Sequence, residues 1–380
     1  MKTEYHEHKM SLESIQASKF GCYLPAHACT HTHTHTHTHC LSLMNKRLNT
    51  AGFYNLITYF SRFVGNMEKR NLTVVREFVL LGLPSSAEQQ HLLSVLFLCM
   101  YLATTLGNML IIATIGFDSH LHSPMYFFLS NLAFVDICFT STTVPQMVVN
   151  ILTGTKTISF AGCLTQLFFF VSFVNMDSLL LCVMAYDRYV AICHPLHYTA
   201  RMNLCLCVQL VAGLWLVTYL HALLHTVLIA QLSFCASNII HHFFCDLNPL
   251  LQLSCSDVSF NVMIIFAVGG LLALTPLVCI LVSYGLIFST VLKITSTQGK
   301  QRAVSTCSCH LSVVVLFYGT AIAVYFSPSS PHMPESDTLS TIMYSMVAPM
   351  LNPFIYTLRN RDMKRGLQKM LLKCTVFQQQ

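Results

Sequence analysis

The chain contains seven apolar stretches of 20 or more residues, which occupy most of it after Gln90. Crossing the hydrocarbon of a bilayer takes about 17 to 25 residues as an α-helix but only about 9 to 11 as a β-strand. Only 9% of the residues are charged, against about 25% in soluble proteins. The pattern predicts one all-α membrane domain, a bundle of seven transmembrane helices. The predicted spans are Leu92–Gly116, Met125–Leu152, Leu164–Cys193, Leu206–Ala230, Val262–Leu292, Val304–Phe326 and Leu339–Leu358.

Lysine and arginine are distributed unevenly between the two sets of loops. Those on one side contain Lys156 alone. Positive residues collect on the cytoplasmic side of a membrane, so we expect an extracellular N-terminus and a cytoplasmic C-terminus. The net charge of +6 then indicates attraction to anionic membrane lipid and not to nucleic acid. The residues on the positive side are Arg188, Arg201, Lys293, Lys300, Arg302, Arg359, Arg361, Lys364, Arg365, Lys369 and Lys373.

A charged pair, Asp187 and Arg188, lies where the third apolar stretch ends. It belongs to the sequence MAYDRYVAICHPLHY at Met184–Tyr198. Together with six further stretches in order, this sequence resembles an olfactory receptor of the tetrapod type, within the rhodopsin-like G-protein-coupled receptors. The further stretches are LHSPMYFFLSNLAFVDIC at Leu121–Cys138, HHFFCD at His241–Asp246, SY at Ser283–Tyr284, RAVSTCSCHL at Arg302–Leu311, FYGT at Phe317–Thr320 and PMLNPFIYTLRN at Pro349–Asn360.

The resemblance implies a multi-pass receptor of the plasma membrane. It would bind a small odorant among its helices and activate a heterotrimeric stimulatory olfactory G protein, which raises cyclic AMP. A receptor of the same fold for a non-odorant metabolite, outside the olfactory epithelium, stays open as an alternative. A transporter or channel would need a charged path through the helices or repeated broken helices. Only Asp136 and Asp177 suggest such a path, and the sequence contains no internal repeat. The sequence has no nucleophile elbow, phosphate-binding glycine loop or HExxH motif, so we predict that the protein is not an enzyme.

The ends of the third and seventh spans carry the predicted switch. Asp187 would hold Arg188 at rest, and the resemblance places this arginine against the G protein in the active state. Pro353 kinks a helix because it lacks a backbone donor, and Tyr356 lies one turn farther on. The alternatives are an interfacial arginine that reaches lipid phosphates and a purely structural kink. The coupling and switch residues are Asp187, Arg188, Tyr189, Tyr284, Asn352, Pro353 and Tyr356.

Two carboxylates, Asp136 and Asp177, fall inside predicted spans, where charges are costly and usually functional. The resemblance implies a buried sodium or proton site formed by these two residues with Asn108 and Asn352. A hydrogen-bonded network in which desolvation keeps at least one acid protonated is the alternative.

Four of the 17 cysteines fall at predicted extracellular positions, where an oxidising environment permits disulfides. Four cysteines allow three pairings. The resemblance implies the pairs Cys163–Cys245 and Cys235–Cys255, which would staple the second extracellular loop over the bundle as a lid.

Histidines raise the possibility of a metal site in two places. His241 and His242 precede Cys245 and Asp246, but a disulfide would remove the cysteine ligand, and zinc-finger spacing is absent. His221 and its neighbour at i+4, His225, are expected to meet the interface or a neighbouring helix. We therefore predict no metal site.

The ligand pocket is expected between the outer halves of the third, fifth, sixth and seventh helices, where bundles leave a cavity. Alignment with the family assigns its lining. The lining contains no Asp, Glu, Lys or Arg, which favours an uncharged, volatile, mostly apolar ligand. Asn175, Ser178, Tyr325 and Ser345 would supply hydrogen bonds to a hydroxyl, carbonyl or ester, whereas packing or lipid contact is the alternative for each aliphatic member. The lining residues are Phe170, Val171, Val174, Asn175, Ser178, Val268, Gly269, Leu272, Tyr318, Ala321, Ile322, Tyr325, Ile342 and Ser345.

The first 66 residues do not follow the family pattern. They contain HTHTHTHTH at His31–His39, a repeat that favours a disordered extension. The family's usual start corresponds to Met67, just before a glycosylation sequon at Asn71. The predicted organisation is an extension (1–66), an extracellular N-terminus (67–90), the receptor domain (91–358) and a basic cytoplasmic tail (359–380).

Overall fold

The computed structural model describes residues 75–81, 87–235, 238–326 and 341–377 of the chain. The predicted extension (1–66) and the sequon at Asn71 lie outside the described residues.

Long helices make up most of the described chain. Each of α1 to α6 is long and apolar enough to cross a membrane, which confirms the predicted helical membrane bundle. α6 begins before the predicted Val304 because its first turns, TQGKQRA, are polar and extend beyond the apolar length. The helices are α1 (Ala87–Phe117), α2 (Pro124–Thr153), α3 (Phe160–Cys193), α4 (Leu204–Ala230), α5 (Ser259–Lys293, with a π-helical turn at Ile265–Gly269), α6 (Thr297–Phe326), α7 (a π-helical turn at Met343–Val347, then Ala348–Arg359) and α8 (Arg361–Phe377).

The third helix forms the centre of the bundle. It packs against α2, α4, α5 and α6. In its most apolar stretch 72% of the residues are buried, compared with 11% in α5. Because α5 keeps most of its apolar side chains exposed, that surface is suited to lipid, whereas side chains of α3 reach the interior of the bundle.

A small β-sheet covers one end of the bundle, which we call the disulfide end. Strand β1 (Glu77–Leu80) pairs antiparallel with β2 (Thr157–Ser159) and parallel with β3 (Ile239–Ile240). Phe78 is fully buried, with its ring centroid 5.4 Å from that of Phe234 and 6.0 Å from that of Phe160. The segment before α1 is therefore tied to the loops that follow α2 and α4.

The basic segment after α7 forms a helix, where the sequence predicts only a tail. α8 packs against α1 and the short helix Ser119–Leu121. At Gly366 a Cβ atom would lie 2.9 Å from the Leu121 side chain and 3.1 Å from that of Thr114, so the close approach requires glycine. α8 is thereby fixed against the end of the bundle that carries Arg188, which we call the Arg188 end.

Candidate functional site

At the Arg188 end, an ion pair holds the arginine against its own helix. Nε of Arg188 donates to Oδ2 of Asp187 at 3.0 Å, and Nη2 donates to the same oxygen. Oδ1 of Asp187 accepts from the Tyr198 hydroxyl at 2.8 Å. Burial and the Asp187 carboxylate raise the pKa of Tyr198, which keeps that donor protonated. Asp187 is fully buried, so both its oxygens depend on these partners.

Arg188 opens onto a cavity of about 860 Å³. Most of its lining residues have polar or charged side chains, and α2, α6, α7 and α8 contribute to the lining together with α3. Tyr356 reaches it from α7, but its hydroxyl has no hydrogen-bond partner within the described residues. The lining residues are Ser123, Met125, Tyr126, Arg188, Gln298, Gln301, Ser305, Cys309, Tyr356, Asn360, Arg361, Asp362 and Arg365.

Tyr284 and Tyr189 have other partners than Arg188. The Tyr284 hydroxyl lies 2.6 Å from Nδ1 of His310, whose Nε2 lies 3.1 Å from the Leu181 carbonyl oxygen. Because a carbonyl oxygen only accepts, Nε2 carries the proton and Tyr284 donates to Nδ1. The Tyr189 hydroxyl lies 3.1 Å from Nε2 of His194.

His310 is therefore a connecting residue that the sequence did not single out. It is fully buried in α6 and joins α5 to α3. The signal was present, because a histidine within an apolar helix needs a polar partner when buried. The sequence could not identify that partner, since Leu181 contributes its backbone carbonyl and not its side chain.

Deeper in the bundle, Asp136, Asp177 and Asn352 line one small pocket of about 10 Å³. Nδ2 of Asn352 donates to both oxygens of Asp136, at 2.9 and 3.1 Å. Oδ1 of Asp177 and Oδ1 of Asn352 are buried and have no partner within the described residues. The structure thus gathers acceptor oxygens from α2, α3 and α7 around a space about the size of one water molecule.

Asn108 lies beside this group and bonds to the backbone of α7. Pro353 has no N–H, so the carbonyl of Pro349, four residues earlier, lacks its helical partner. Nδ2 of Asn108 donates to the Pro349 carbonyl at 3.4 Å and to the backbone carbonyl of Thr104 at 3.1 Å. A Cβ atom on Gly107 would lie 2.9 Å from Pro353. α1 and α7 therefore meet closely at Pro353, while Asn108 is not among the lining residues of the small pocket.

At the disulfide end, the loop after α4 is fixed over the bundle. Disulfides join Cys163 to Cys245 and Cys235 to Cys255. We call this loop, residues 231–235 and 238–258 as described, the lid. Gln166 of α3 is buried; its Oε1 accepts from the backbone N–H of Cys245 at 2.8 Å.

One histidine of the lid, His242, packs against two neighbouring rings. His242 lies flat against Phe243, with centroids 4.5 Å apart, and edge-on to Phe244. Burial lowers the pKa of His242 to about 4, so the ring is neutral at pH 7. Asp246 instead begins the short helix Leu247–Gln252 by accepting from the Leu247 N–H; burial raises its pKa although this bond opposes the shift. Within the described residues no group of three His, Cys, Asp or Glu could hold a metal ion.

Beneath the lid, several predicted lining residues of α3 and α6 come together. Phe170 packs against Phe244 of the lid, with ring centroids 4.6 Å apart. Two turns deeper, the Ser178 hydroxyl lies 2.8 Å from that of Tyr318. Val171 is buried and Val174 half-buried. The structure therefore places the α3 set on one face between the lid and the small pocket.

The other predicted lining residues vary in burial. Val268 and Gly269 lie in the π-helical turn of α5, and they are half-buried like Leu272, Ala321 and Ile342. Ser345 is buried in the π-helical turn of α7. Ile322 is 48% exposed. The side chain of Tyr325 lies outside the described part of the structure.

Asn175 reaches the histidines of α4. Its Nδ2 donates to the Val171 carbonyl at 2.7 Å and lies 3.4 Å from Nδ1 of His221. Nε2 of His221 lies 2.9 Å from Nε2 of His225. The pair predicted to meet a neighbour thus meets α3, and each histidine is hydrogen-bonded.

This arrangement defines a seven-helix membrane receptor. The fold is similar to that of squid rhodopsin, whose crystal structure matches with a TM-score of 0.61 over 78% of this chain and 91% of that chain, at 16% identity. Residues 97–374 match the family described as olfactory receptor. Human olfactory receptor 1F1 is 60% identical over 305 residues, which cover 80% of this chain and 98% of that protein. Rat olfactory receptor 1f45 is 58% identical over 80% of this chain and 97% of that protein.

The chain belongs to the olfactory receptor family. It is therefore a multi-pass membrane protein and a member of a family of G-protein-coupled receptors, not of enzymes. The family implies a small-molecule ligand and a G protein as partners.

Proposed function

We propose that this protein is a plasma-membrane receptor that binds an uncharged odorant beneath the lid and activates a stimulatory olfactory G protein, which raises cyclic AMP. The arrangement at Arg188 carries the proposal. A guanidinium held by one reversible ion pair lies beside a cavity of about 860 Å³, which offers a partner both a charge to bind and space to enter.

The odorant side of the proposal rests on the chemistry beneath the lid. The polar groups there are amide, hydroxyl and imidazole, contributed by residues such as Asn175, Ser178 and His221. A charged ligand would lose its hydration without gaining an opposite charge, which is costly. An uncharged, mostly apolar molecule with one or two polar atoms meets no such cost.

The orientation follows from the charges at the two ends. Arg188, Arg361 and Arg365 line the cavity at the Arg188 end, and positive residues favour the cytoplasmic side. The lid and its disulfides then face outward, where oxidising conditions maintain them. In this orientation the odorant and the G protein bind at opposite ends.

Binding shifts an equilibrium that already exists. At rest Asp187 holds the Arg188 guanidinium, and the Tyr198 hydroxyl donates to the other oxygen of Asp187. An odorant that prefers the active arrangement of α3 and α6 releases Arg188 toward the G protein. The Ser178–Tyr318 contact joins those two helices two turns below the contact of Phe170 with the lid.

The test is cyclic AMP production in cells that express the full chain with the olfactory G protein, over a panel of uncharged odorants. Arg188→Ala is the matched loss-of-coupling variant, with surface amounts measured for both. An odorant-dependent rise that the variant lacks supports the proposal. A surface-expressed chain that stays silent to the panel and responds to a non-volatile metabolite would replace it with the metabolite-receptor reading.

We propose further that the small pocket at Asp136 holds a sodium ion in the resting state. The residues fit a hard cation, since the carboxylates of Asp136 and Asp177 and Oδ1 of Asn352 all present oxygen. Two of these atoms are buried without a partner in the described chain. The ion would supply the positive charge that the two acids otherwise lack.

Replacing sodium by choline in the medium tests this second proposal. Ligand-independent cyclic AMP should rise when sodium is withdrawn, and Asp177→Asn should remove that response while the chain still reaches the surface. Equal activity in both salts would favour a hydrogen-bonded network with a protonated acid.

A further inference from the structure

The polar groups beneath the lid have unequal numbers of donors and acceptors to offer a ligand. Nδ2 of Asn175 donates to the Val171 carbonyl at 2.7 Å. Because a carbonyl oxygen only accepts, this contact fixes which end of the amide is nitrogen. The second hydrogen of the same nitrogen faces Nδ1 of His221 at 3.4 Å. Both amide donors are engaged, and Oδ1 is the group left to meet a ligand.

The histidine pair behind Asn175 maintains this direction. Nδ1 of His221 accepts from Asn175, so its proton is on Nε2. Nε2 then donates to Nε2 of His225 at 2.9 Å. Each hydrogen bond is thus donated in the same direction, from Asn175 to His221 and from His221 to His225. Both histidine side chains are buried. Rotating the Asn175 amide by half a turn would place its oxygen against the Val171 carbonyl oxygen, and two acceptors cannot form a hydrogen bond.

The neighbouring hydroxyls add little donor capacity. Ser178 and Tyr318 bond to each other at 2.8 Å, so one proton of the two is used between them and one remains. Ser345 donates to the Thr341 carbonyl at 2.6 Å, which uses its proton. Among the described lining residues, acceptor oxygens therefore exceed the remaining donors.

We infer that the odorant site selects molecules that carry a hydroxyl group over ethers, esters and ketones of the same shape. The inference rests on the proposed odorant site. Asn175 and Ser178 are three residues apart on one face of α3 and are therefore neighbours. A hydroxyl can donate to Oδ1 of Asn175 and accept the remaining proton of the Ser178–Tyr318 pair. An ether or ketone can only accept, so it leaves the Asn175 oxygen without a partner.

The experiment compares odorants of similar size and shape on the full chain. 1-Octanol and methyl heptyl ether have the same formula and similar shape, and 2-octanone presents an acceptor only; homologues of increasing length accompany them. Cyclic AMP is measured per receptor at the surface. The alcohol should be more potent than its ether by about 2- to 12-fold, the value of one hydrogen bond.

Two variants separate the direction of the bonds from simple fit. Asn175→Leu removes the acceptor and should abolish the alcohol's advantage. His221→Phe keeps the ring but removes the Nδ1 acceptor; it releases one amide hydrogen of Asn175, so ketone potency should rise relative to the alcohol. Thr165→Val is the matched control, because the Thr165 hydroxyl also donates to its own helix, at 2.8 Å to Ala161, and its loss should leave the ratio unchanged.

Each outcome decides one proposal. An ether or ketone at least as potent as the alcohol in the wild type, or an alcohol preference that persists in both Asn175→Leu and His221→Phe, would overturn the donor selection and leave the odorant receptor intact. Silence of the surface-expressed chain to every homologue would overturn the odorant site, and the selection with it.

Discussion

The two ends of the helix bundle are held by different kinds of contact. At the disulfide end, the Cys163–Cys245 bond and the sheet formed by β1, β2 and β3 fix the lid to α3 and to the segment before α1. At the Arg188 end, the contacts around the arginine are an ion pair and single hydrogen bonds, such as those from Arg188 and Tyr198 to Asp187. A covalent bond stays in place while ligands bind and leave, whereas the polar contacts can be exchanged.

This difference fits a receptor whose ligand and partner bind at opposite ends. A fixed lid keeps the residues beneath it in place, so the odorant meets a preorganised site, which lowers the cost of binding. The Arg188 end has to change its contacts to accept a partner. Its polar bonds contribute about 0.5 to 3 kcal/mol each, a range that partner binding can offset.

Cys163→Ser is expected to have the largest effect. The Cys163–Cys245 bond closes 82 residues and the Cys235–Cys255 bond closes 20, and loop closure makes these bonds worth about 4.5 and 3.3 kcal/mol. Cys163 and Cys245 are also fully buried, whereas Cys235 and Cys255 are exposed. Cys163→Ser should therefore abolish most surface receptor.

Flow cytometry of an N-terminal tag measures this effect, with Cys235→Ser as the matched variant. The shorter loop and the exposed position of the Cys235–Cys255 bond predict that Cys235→Ser retains more surface receptor than Cys163→Ser. An equal loss of surface receptor in both variants, or a normal surface amount of Cys163→Ser, would show that the disulfide end does not depend specifically on the Cys163–Cys245 bond.

Much of the fold was predictable because the hydrocarbon constrains a spanning helix so strongly. A long, predominantly apolar run such as Leu164–Cys193 has few alternatives to α-helix in a membrane. Strand β1 was not predicted, since its four residues, EFVL, are too short for a local signal and pair with strands distant in sequence. α8 could have been found from the apolar spacing of Met363, Leu367 and Met370, but the positive charges between them suggested only a tail.

The site was predictable only in part, because the sequence shows single residues of unusual type but not the contacts between distant residues. Buried acids such as Asp136 can be recognised individually, because a charge is costly inside a span. That Asn352 donates to Asp136 could not be derived from spacing, since 216 residues separate them. The direction of the Asn175 amide likewise depends on its distances to a backbone carbonyl and to His221, which are set by the three-dimensional fold.

Asp187→Asn should have an intermediate effect, confined to the Arg188 end. Asn keeps the shape of the side chain but removes the charge that holds Arg188. A charge-assisted hydrogen bond contributes about 1.5 to 3 kcal/mol, so the resting state should lose about that much relative to the active state. Ligand-independent cyclic AMP per surface receptor should rise about tenfold or more, until the active fraction saturates.

Tyr198→Phe is the graded control for that variant. It removes only the 2.8 Å hydrogen bond to Oδ1 of Asp187 and keeps the carboxylate charge that holds Arg188, so basal activity should rise less than in Asp187→Asn. If neither substitution raised basal activity while both chains reached the surface, the ion pair would not restrain the resting receptor, and the proposed contrast between the two ends would be lost.

Lys369→Met should have the smallest effect, because it removes a contact that is partly in water. Nζ of Lys369 lies 3.1 Å from Oδ2 of Asp118, but the lysine side chain is 53% exposed, and such pairs contribute about 0 to 1 kcal/mol. Burial opposes ionisation of Asp118, yet the hydrogen bonds from Lys369 and His120 outweigh it and lower the pKa of this carboxyl. The contribution should therefore be complete at pH 7 and disappear as the pH falls below about 4, the value for an unfolded aspartate.

Thermal unfolding in detergent at pH 7 measures the Lys369 effect, with Lys364→Met as the matched control on an exposed position of α8. The expected loss of melting temperature is a few degrees at most. Gly366→Leu should cost more than Lys369→Met, since a Cβ atom alone would lie 2.9 Å from Leu121. The reverse order would mean that α8 is held mainly by its charges, whereas the close approach at Gly366 favours packing as the main contact.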